Sequence, residues 1–239
     1  MSEFQERDSG WTLLDIAYLK ININKYECLK GSNYIELPEW IMRKKACINI
    51  NNNDEYCFKW AIISALFKVK THVNLWKSYD INDRIKDEMI TLKNGRVLNF
   101  KSLKFPLAVN MIKIFEKNNP DIRVNVFGLE GYSIVGPLYF TQQEKSNHIN
   151  LLLLEEDERI HYVWIKNISR LLRSQLTKRK CAIHICNTCL IHFHNVSALE
   201  KHKGQCNKIV TIMPKSGDNI LNFRNWMYRL SFMLTLNAF

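Results

Sequence analysis

Apolar positions along the chain fall into short runs whose period changes from helical to extended and back. Residues 1–45 hold scattered apolar positions and a proline in SNYIELPEW that ends any strand there, so they read as an extended lead-in packing on the main domain. ACINI, residues 46–50, reads as a short strand. Residues 57–67, CFKWAIISALF, have helical length and apolar side chains on nearly every side, which predicts a buried helix. The Asn- and Asp-rich residues 51–54 supply turn and N-cap chemistry before it. Charged residues 76–92 read as a helix, and LAVNMIKIFEK, residues 107–117, as another that NNP ends. Five strands follow: IRVNVFG, YSIVG, PLYFT, HINLLLL and HYVWIK. The charged turn EEDER makes the last two an antiparallel hairpin. From 168 to 176 helical spacing returns, with Ile168, Leu171, Leu172 and Leu176 on one face and Arg170 and Arg173 off it.

The pattern predicts an α+β fold, an antiparallel sheet with packed helices, over residues 46–176. TKRK, residues 177–180, reads as a linker to a small module at 181–207, and residues 208–239 as a tail ending in the apolar run LSFMLTLNAF.

Composition narrows the class. Of 239 residues, 46% are hydrophobic, enough for one good core or two small ones. No apolar run approaches the roughly eighteen residues that span a bilayer, and MSEFQERDSGW lacks the apolar core of a signal peptide. We therefore expect no membrane partner and an intracellular protein, nuclear or cytoplasmic. Seven cysteines, four of them between 181 and 206, suit metal ligands and free thiols better than disulfides. The net charge of +11 is concentrated: residues 166–215 hold ten basic residues and one acid, Glu200. A basic block points to phosphate-rich partners. Its candidate phosphate contacts are Arg170, Arg173, Lys178, Arg179, Lys180, Lys201 and Lys203.

The most specific chemistry is the spacing Cys186-x2-Cys189-x12-His202-x3-Cys206. A Cys-x2-Cys knuckle places two thiolates on one tight turn, and His202 and Cys206 lie one helical turn apart. Such a closed set of soft ligands suits one structural Zn²⁺ with no open position for catalysis. Phe193 and Leu199 stand where a ββα finger needs its core residues, and with so little core the metal must supply most of the folding energy. The base-reading positions of such a helix are Asn195, Ala198 and Lys201. Ala198 offers no hydrogen bond, so non-specific nucleic-acid contact is the expected partner chemistry rather than a read sequence.

A second constellation is weaker. Cys57 opens a buried helix, whose N-terminus favours thiolate. His161 opens a strand far downstream, and Asn167 follows it. Cysteine, histidine and asparagine in that order are the catalytic set of a papain-like peptidase, and OTU-like enzymes use a similar His-Tyr pair, here His161–Tyr162. His148 is a rival base and Asn53 an oxyanion donor, but no pattern identifies an oxyanion hole. Zinc binding with weak, non-specific nucleic-acid association and no catalysis is the leading expectation, and a papain-like or OTU-like cysteine peptidase using Cys57, His161 and Asn167 the alternative. A protein-interaction module that packs on a polymerase or another protein is the third.

Taken in order, SGWTLLDIAYLKININKYECLKGSNYIELPEWI, KKACINI, CFKWAIISAL, VNVFG, HINLLLL, HYVWIKNISRLLRSQLTK and the Cys/His module resemble a known region. It is the one that precedes the polymerase core in protein-primed family-B DNA polymerases of Maverick/Polinton-type transposons, and it is similar to related invertebrate proteins. The resemblance spans about residues 9–232, and it includes a Met-Pro after the module, here Met213–Pro214. In those polymerases an apolar strand then leads into an Asp-x-Glu exonuclease motif. Here Asn237 falls near the Asp and no Glu follows, so the resemblance implies a chain truncated before the exonuclease and polymerase domains.

Overall fold

Strand β4 (Ile122–Glu130), β6 (Asn147–Glu156) and β7 (Arg159–Ile165) are buried along most of their length on both faces, and they form the centre of the protein. The computed structural model describes residues 34–141, 145–156, 159–178 and 181–206. The sheet has five strands in the order β1-β7-β6-β4-β5, with β1 at Cys47–Ile48 and β5 at Ser133–Tyr139. Every neighbouring pair is antiparallel except β4 and β6, which run parallel in register from Ile122 opposite Asn147 to Phe127 opposite Leu152. The protein is thus mixed α+β with a mostly antiparallel sheet. The β6–β7 hairpin forms as expected, closing at Glu156 opposite Arg159.

Alternation along these strands sends neighbouring side chains into two separate cores. Ile122, Val124, Val126, Leu151, Leu153, Tyr162 and Trp164 meet α2 (Cys57–Leu66) and α3 (Ile112–Asn118) on one face. Phe127, Leu152, Leu154, Val163 and Ile165 meet α1 (Glu39–Lys44) and α4 (Ile168–Leu176) on the other. Ile35, Leu37 and Ile41 belong to this second core, so the described part of the lead-in packs on the sheet. Helix α4 has the expected bounds; Asn167 caps it by accepting the Arg170 N–H at 2.8 Å. Lys44 donates to the Leu171 carbonyl at 2.6 Å and so ties α1 to α4.

Three expectations change. Residues 76–92 are not a helix: a single 3₁₀ turn at Trp76–Ser78 is followed by strand β2 (Met89–Thr91), which pairs with β3 (Val97–Asn99). The acidic residues that suggested a solvated helix instead accept local backbone N–H groups. Asp83 takes the Thr91 N–H at 2.6 Å and Asp87 the Arg84 N–H at 3.0 Å, bonds that compete with a helix. The second helix starts later, as a 3₁₀ turn at Val109–Met111 that runs into α3. YSIVG and PLYFT are one strand, β5. Where β5 leaves β4, the Glu116 carboxylate replaces it, accepting the Val124 N–H at 2.8 Å and the Tyr139 and Thr141 hydroxyls at 2.9 Å.

Helix α2 is buried all round, even at Lys59, which is 1% exposed. Its ammonium donates to the Ile85 and Asp87 carbonyls, both at 2.8 Å, and lies 4.8–4.9 Å from the rings of Tyr56, Phe100 and Phe105. Burial lowers its pKa to about 8, against the raising pull of Asp87, Glu88 and Asp54. The lysine is therefore charged at neutral pH and pins the loop at 85–87 onto α2. Lys59→Met leaves both carbonyls unbonded, so urea denaturation at pH 7 is expected to show a loss of about 2–3 kcal/mol. A loss under about 0.5 kcal/mol would remove this role.

Candidate metal centre and basic surface

After α4 the chain makes two short antiparallel strands, β8 (His184–Ile185) and β9 (His192–Phe193), then helix α5 (Val196–Cys206). A tight turn joins the strands: Leu190 adopts a left-handed φ of 62° and its N–H reaches the Cys186 carbonyl at 2.7 Å. The turn presents Cys186 and Cys189; α5 presents His202 and Cys206. These four ligand atoms lie within 4.8 Å of one another and could hold a metal ion. Cys186 Sγ and Cys206 Sγ are 3.8 Å apart, matching the edge of about 3.8 Å that two thiolates share around a tetrahedral ion. Cys189 Sγ and His202 Nε2 stand closer, at 3.0 Å, so this edge opens by about half an ångström around an ion. The bonds from Cys189 and the Cys189 and Thr188 N–H groups favour a Cys186 thiolate, lowering its pKa against the opposing effect of burial. The thiol of Cys189, which donates to that sulfur, is pushed up in turn. Leu199 is buried against Cys186 and Cys206, with Phe193 packed beside them.

This module is docked on the sheet. Ile183, Ile185 and Leu190 join the second core, beside α4. Beneath the turn, the in-register pair Asn125 and Asn150 forms a ladder to Asn187. Asn125 Nδ2 donates to Asn150 Oδ1 at 3.1 Å and to the Asn187 carbonyl at 3.0 Å, and Asn150 Nδ2 donates to Asn187 Oδ1 at 3.1 Å. Three buried apolar side chains contribute about 2 kcal/mol apiece, against about 1 kcal/mol per hydrogen bond. Apolar contact therefore holds the module, and the asparagines fix where the turn sits. The sequence did show asparagine at inward positions of two apolar strands, which was the available signal for this ladder.

Arg170, Arg173 and Lys178 are exposed on α4 and just after it, and Lys201 and Lys203 on α5. Arg179 and Lys180 lie outside the described residues. Both α4 and α5 contact β8, so both sets of charge sit on elements packed around one strand. Lys203 pairs with Glu200 at 2.8 Å, the sole acid of residues 166–215. Asn195 accepts the Ala198 N–H at 2.7 Å and so serves as the cap of α5.

Cys57, His161 and Asn167 are not brought together. Cys57 is 1% exposed in the first core, with α2 on one face of the sheet. His161 alternates with Ile160 and Tyr162 and points to the opposite face, where it is fully buried. Its Nε2 lies 2.7 Å from Asn49 Oδ1. Asn49 uses its Nδ2 on the Ile35 carbonyl at 2.9 Å, so the amide oxygen accepts and Nε2 carries the proton. Asn49 thus holds the orienting place expected of Asn167, which caps α4 instead. The sheet between sulfur and imidazole takes away the geometric basis of the papain-like and OTU-like alternatives. His148 lies on β6 near Cys186, also on that second face.

No family model, curated protein or solved structure matches the chain.

Two outcomes follow. Elemental analysis is expected to find one bound metal ion per chain, lost in Cys189→Ser and in His202→Ala; retention in both would exclude this site. Burial lowers the His161 pKa from 6.5 to about 4. The unfolded chain then binds the extra proton between these values, so the contribution of His161 is complete above pH 6.5 and is lost as pH falls toward 4. In paired unfolding measurements, the stability cost of His161→Gln should be larger at pH 7 than at pH 4.5, changing by up to about 1.4 kcal/mol per pH unit. An equal cost at both pH values would refute the assignment.

Proposed function

We propose that this chain is a zinc-binding, non-catalytic protein that associates weakly and without sequence preference with nucleic acid. The observation that carries the reading is a closed Cys₃His ligand set on a body whose α4 and α5 surfaces are basic, with Glu200 the sole carboxylate of the segment 166–206. Three thiolates and one imidazole are soft donors in a set of four, the chemistry of structural zinc. The β8–β9–α5 order supports a ββα zinc finger. Zinc would be held by Cys186, Cys189, His202 and Cys206, joining turn to helix where the residual core is only Phe193 and Leu199. Arg170, Arg173, Lys178 and Lys201 then contact phosphates, with Arg179 and Lys180 adding charge from the sequence between them. A single finger whose helix uses Asn195 as a cap and has Ala198 at its centre is poorly equipped to choose a base.

The order of motifs supports an origin in the region before the polymerase core of Maverick/Polinton-type polymerases, without their exonuclease or polymerase chemistry. A second reading, a protein-interaction module, draws on the docking of the finger against the sheet, which shows that this surface already serves contact between protein parts.

Fluorescence anisotropy with labelled DNA and RNA tests the reading. Log affinity is expected to fall with log salt with a slope of about −4, and Arg170→Ala/Arg173→Ala/Lys178→Ala should reduce that slope by about 2–3. Absent or salt-insensitive binding would sink it. Chelation that removes finger structure while binding persists would favour the interaction module.

A further inference from the structure

The finger meets the larger domain around a cavity of about 430 Å³, formed by the end of α2, the start of β6, the end of β7, the first turn of α4 and the Cys186–Cys189 turn. That is the size of a small-ligand pocket. Among the described residues no carboxylate lines it, while Lys68 and Lys166 do. Both lysines are exposed, and neither forms an ion pair among the described residues. The cavity is therefore positive at its rim.

Its interior differs from a lysine surface. Trp164, 9% exposed, contributes an aromatic wall. His148 also lines it, with both ring nitrogens enclosed by protein and without a hydrogen-bond partner among the described residues, so its contribution to the lining is the carbon face of the ring. Asn187 commits its Oδ1 to Asn150, which leaves its amide N–H groups for another acceptor. Ser169 adds a hydroxyl beside them, in the first turn of α4. Cationic rim, aromatic wall and paired polar groups together match a nucleotide: phosphate outside, base within. The open cleft beside α3 also gathers three cations, but the Glu116 carboxylate lines it and is already occupied in joining β5 to β4.

We infer that this cavity, which opens past the last β6–β7 pair of Leu151 and Trp164, takes one nucleotide of a single strand, with its phosphate against Lys68 and Lys166 and its base between Trp164 on one side and His148 and Asn187 on the other. The inference rests on the nucleic-acid reading and sharpens it. A duplex keeps its bases stacked and cannot place one inside, so the cavity prefers single strands, whereas the α4 and α5 charges serve both forms. The same nucleoside-phosphate chemistry could come from a free mononucleotide, and the experiment separates the two sources.

Anisotropy with a labelled single strand and with the duplex of the same sequence is measured on the intact chain, on Lys68→Gln/Lys166→Gln and on Lys201→Gln. The rim pair is exposed and α5 lies apart from the cavity, so circular dichroism should show both variants folded. The rim variant is expected to lose about tenfold in single-strand affinity and less than about twofold for duplex, while Lys201→Gln weakens both alike. AMP at millimolar concentration should compete with the single strand but not with the duplex. Equal losses for both strands, or an unchanged single-strand affinity, overturn the inference and leave the broader basic surface standing. If the intact chain binds neither strand, the proposed function falls, and AMP titration decides the cavity separately. AMP binding that the rim variant lacks retains a free-nucleotide site; no AMP binding removes it.

Discussion

Burial on both faces of β4, β6 and β7 is the constraint on which the rest of the structure depends. A strand alternates its side chains at every residue, so a strand covered on both sides must feed two cores from one stretch of chain. Here the first core takes α2 and α3, and the second takes α1, α4 and the Cys/His module. The partition places Cys57 and His161 in different compartments although their helix and strand are in contact. It also puts Asn125 and Asn150 side by side facing the module. A register shift of one residue in β6 would exchange the faces of that strand, turn Asn150 toward Val124, Val126 and Tyr162, and part it from Asn125 and Asn187 beneath the Cys186–Cys189 turn.

The docking of the module changes how its small size is understood. A module with Phe193 and Leu199 as its apolar core has little packing of its own to stabilise it. Ile183, Ile185 and Leu190 extend that core into the larger one, so part of the stability of the module comes from the sheet. In return, the basic residues of α4 and α5 are displayed at fixed positions on one body. This is a different arrangement from a finger tethered by a flexible linker. Electrostatic attraction to a polyanion needs no such precision, whereas a shaped cavity with a cationic rim does.

The metal ligands were legible in the sequence because their geometry is local. A Cys-x2-Cys turn and a His-x3-Cys helix each fix two ligands within a few residues, and the twelve-residue spacing closes the set. Helices α2 and α4 and the β6–β7 hairpin were legible for the same reason, since apolar period and turn chemistry are properties of contiguous chain. The reading failed at 76–92, where charge composition suggested a helix but Asp83 and Asp87 spent their oxygens on nearby backbone. There, the direction of individual hydrogen bonds decided the outcome, and composition carries no such direction.

By itself, then, the sequence determined the ligand set, the main periodic elements and the concentration of positive charge. The tertiary structure alone decided that β4 and β6 run parallel, that Asn49 rather than Asn167 orients His161, that Lys59 sits among three aromatic rings, and that Lys68, His148, Lys166 and Asn187 surround one cavity. Each of these joins residues far apart in the chain, through strand register and helix docking. The free energy that selects among such pairings comes from filling two cores at once, which no local segment contains.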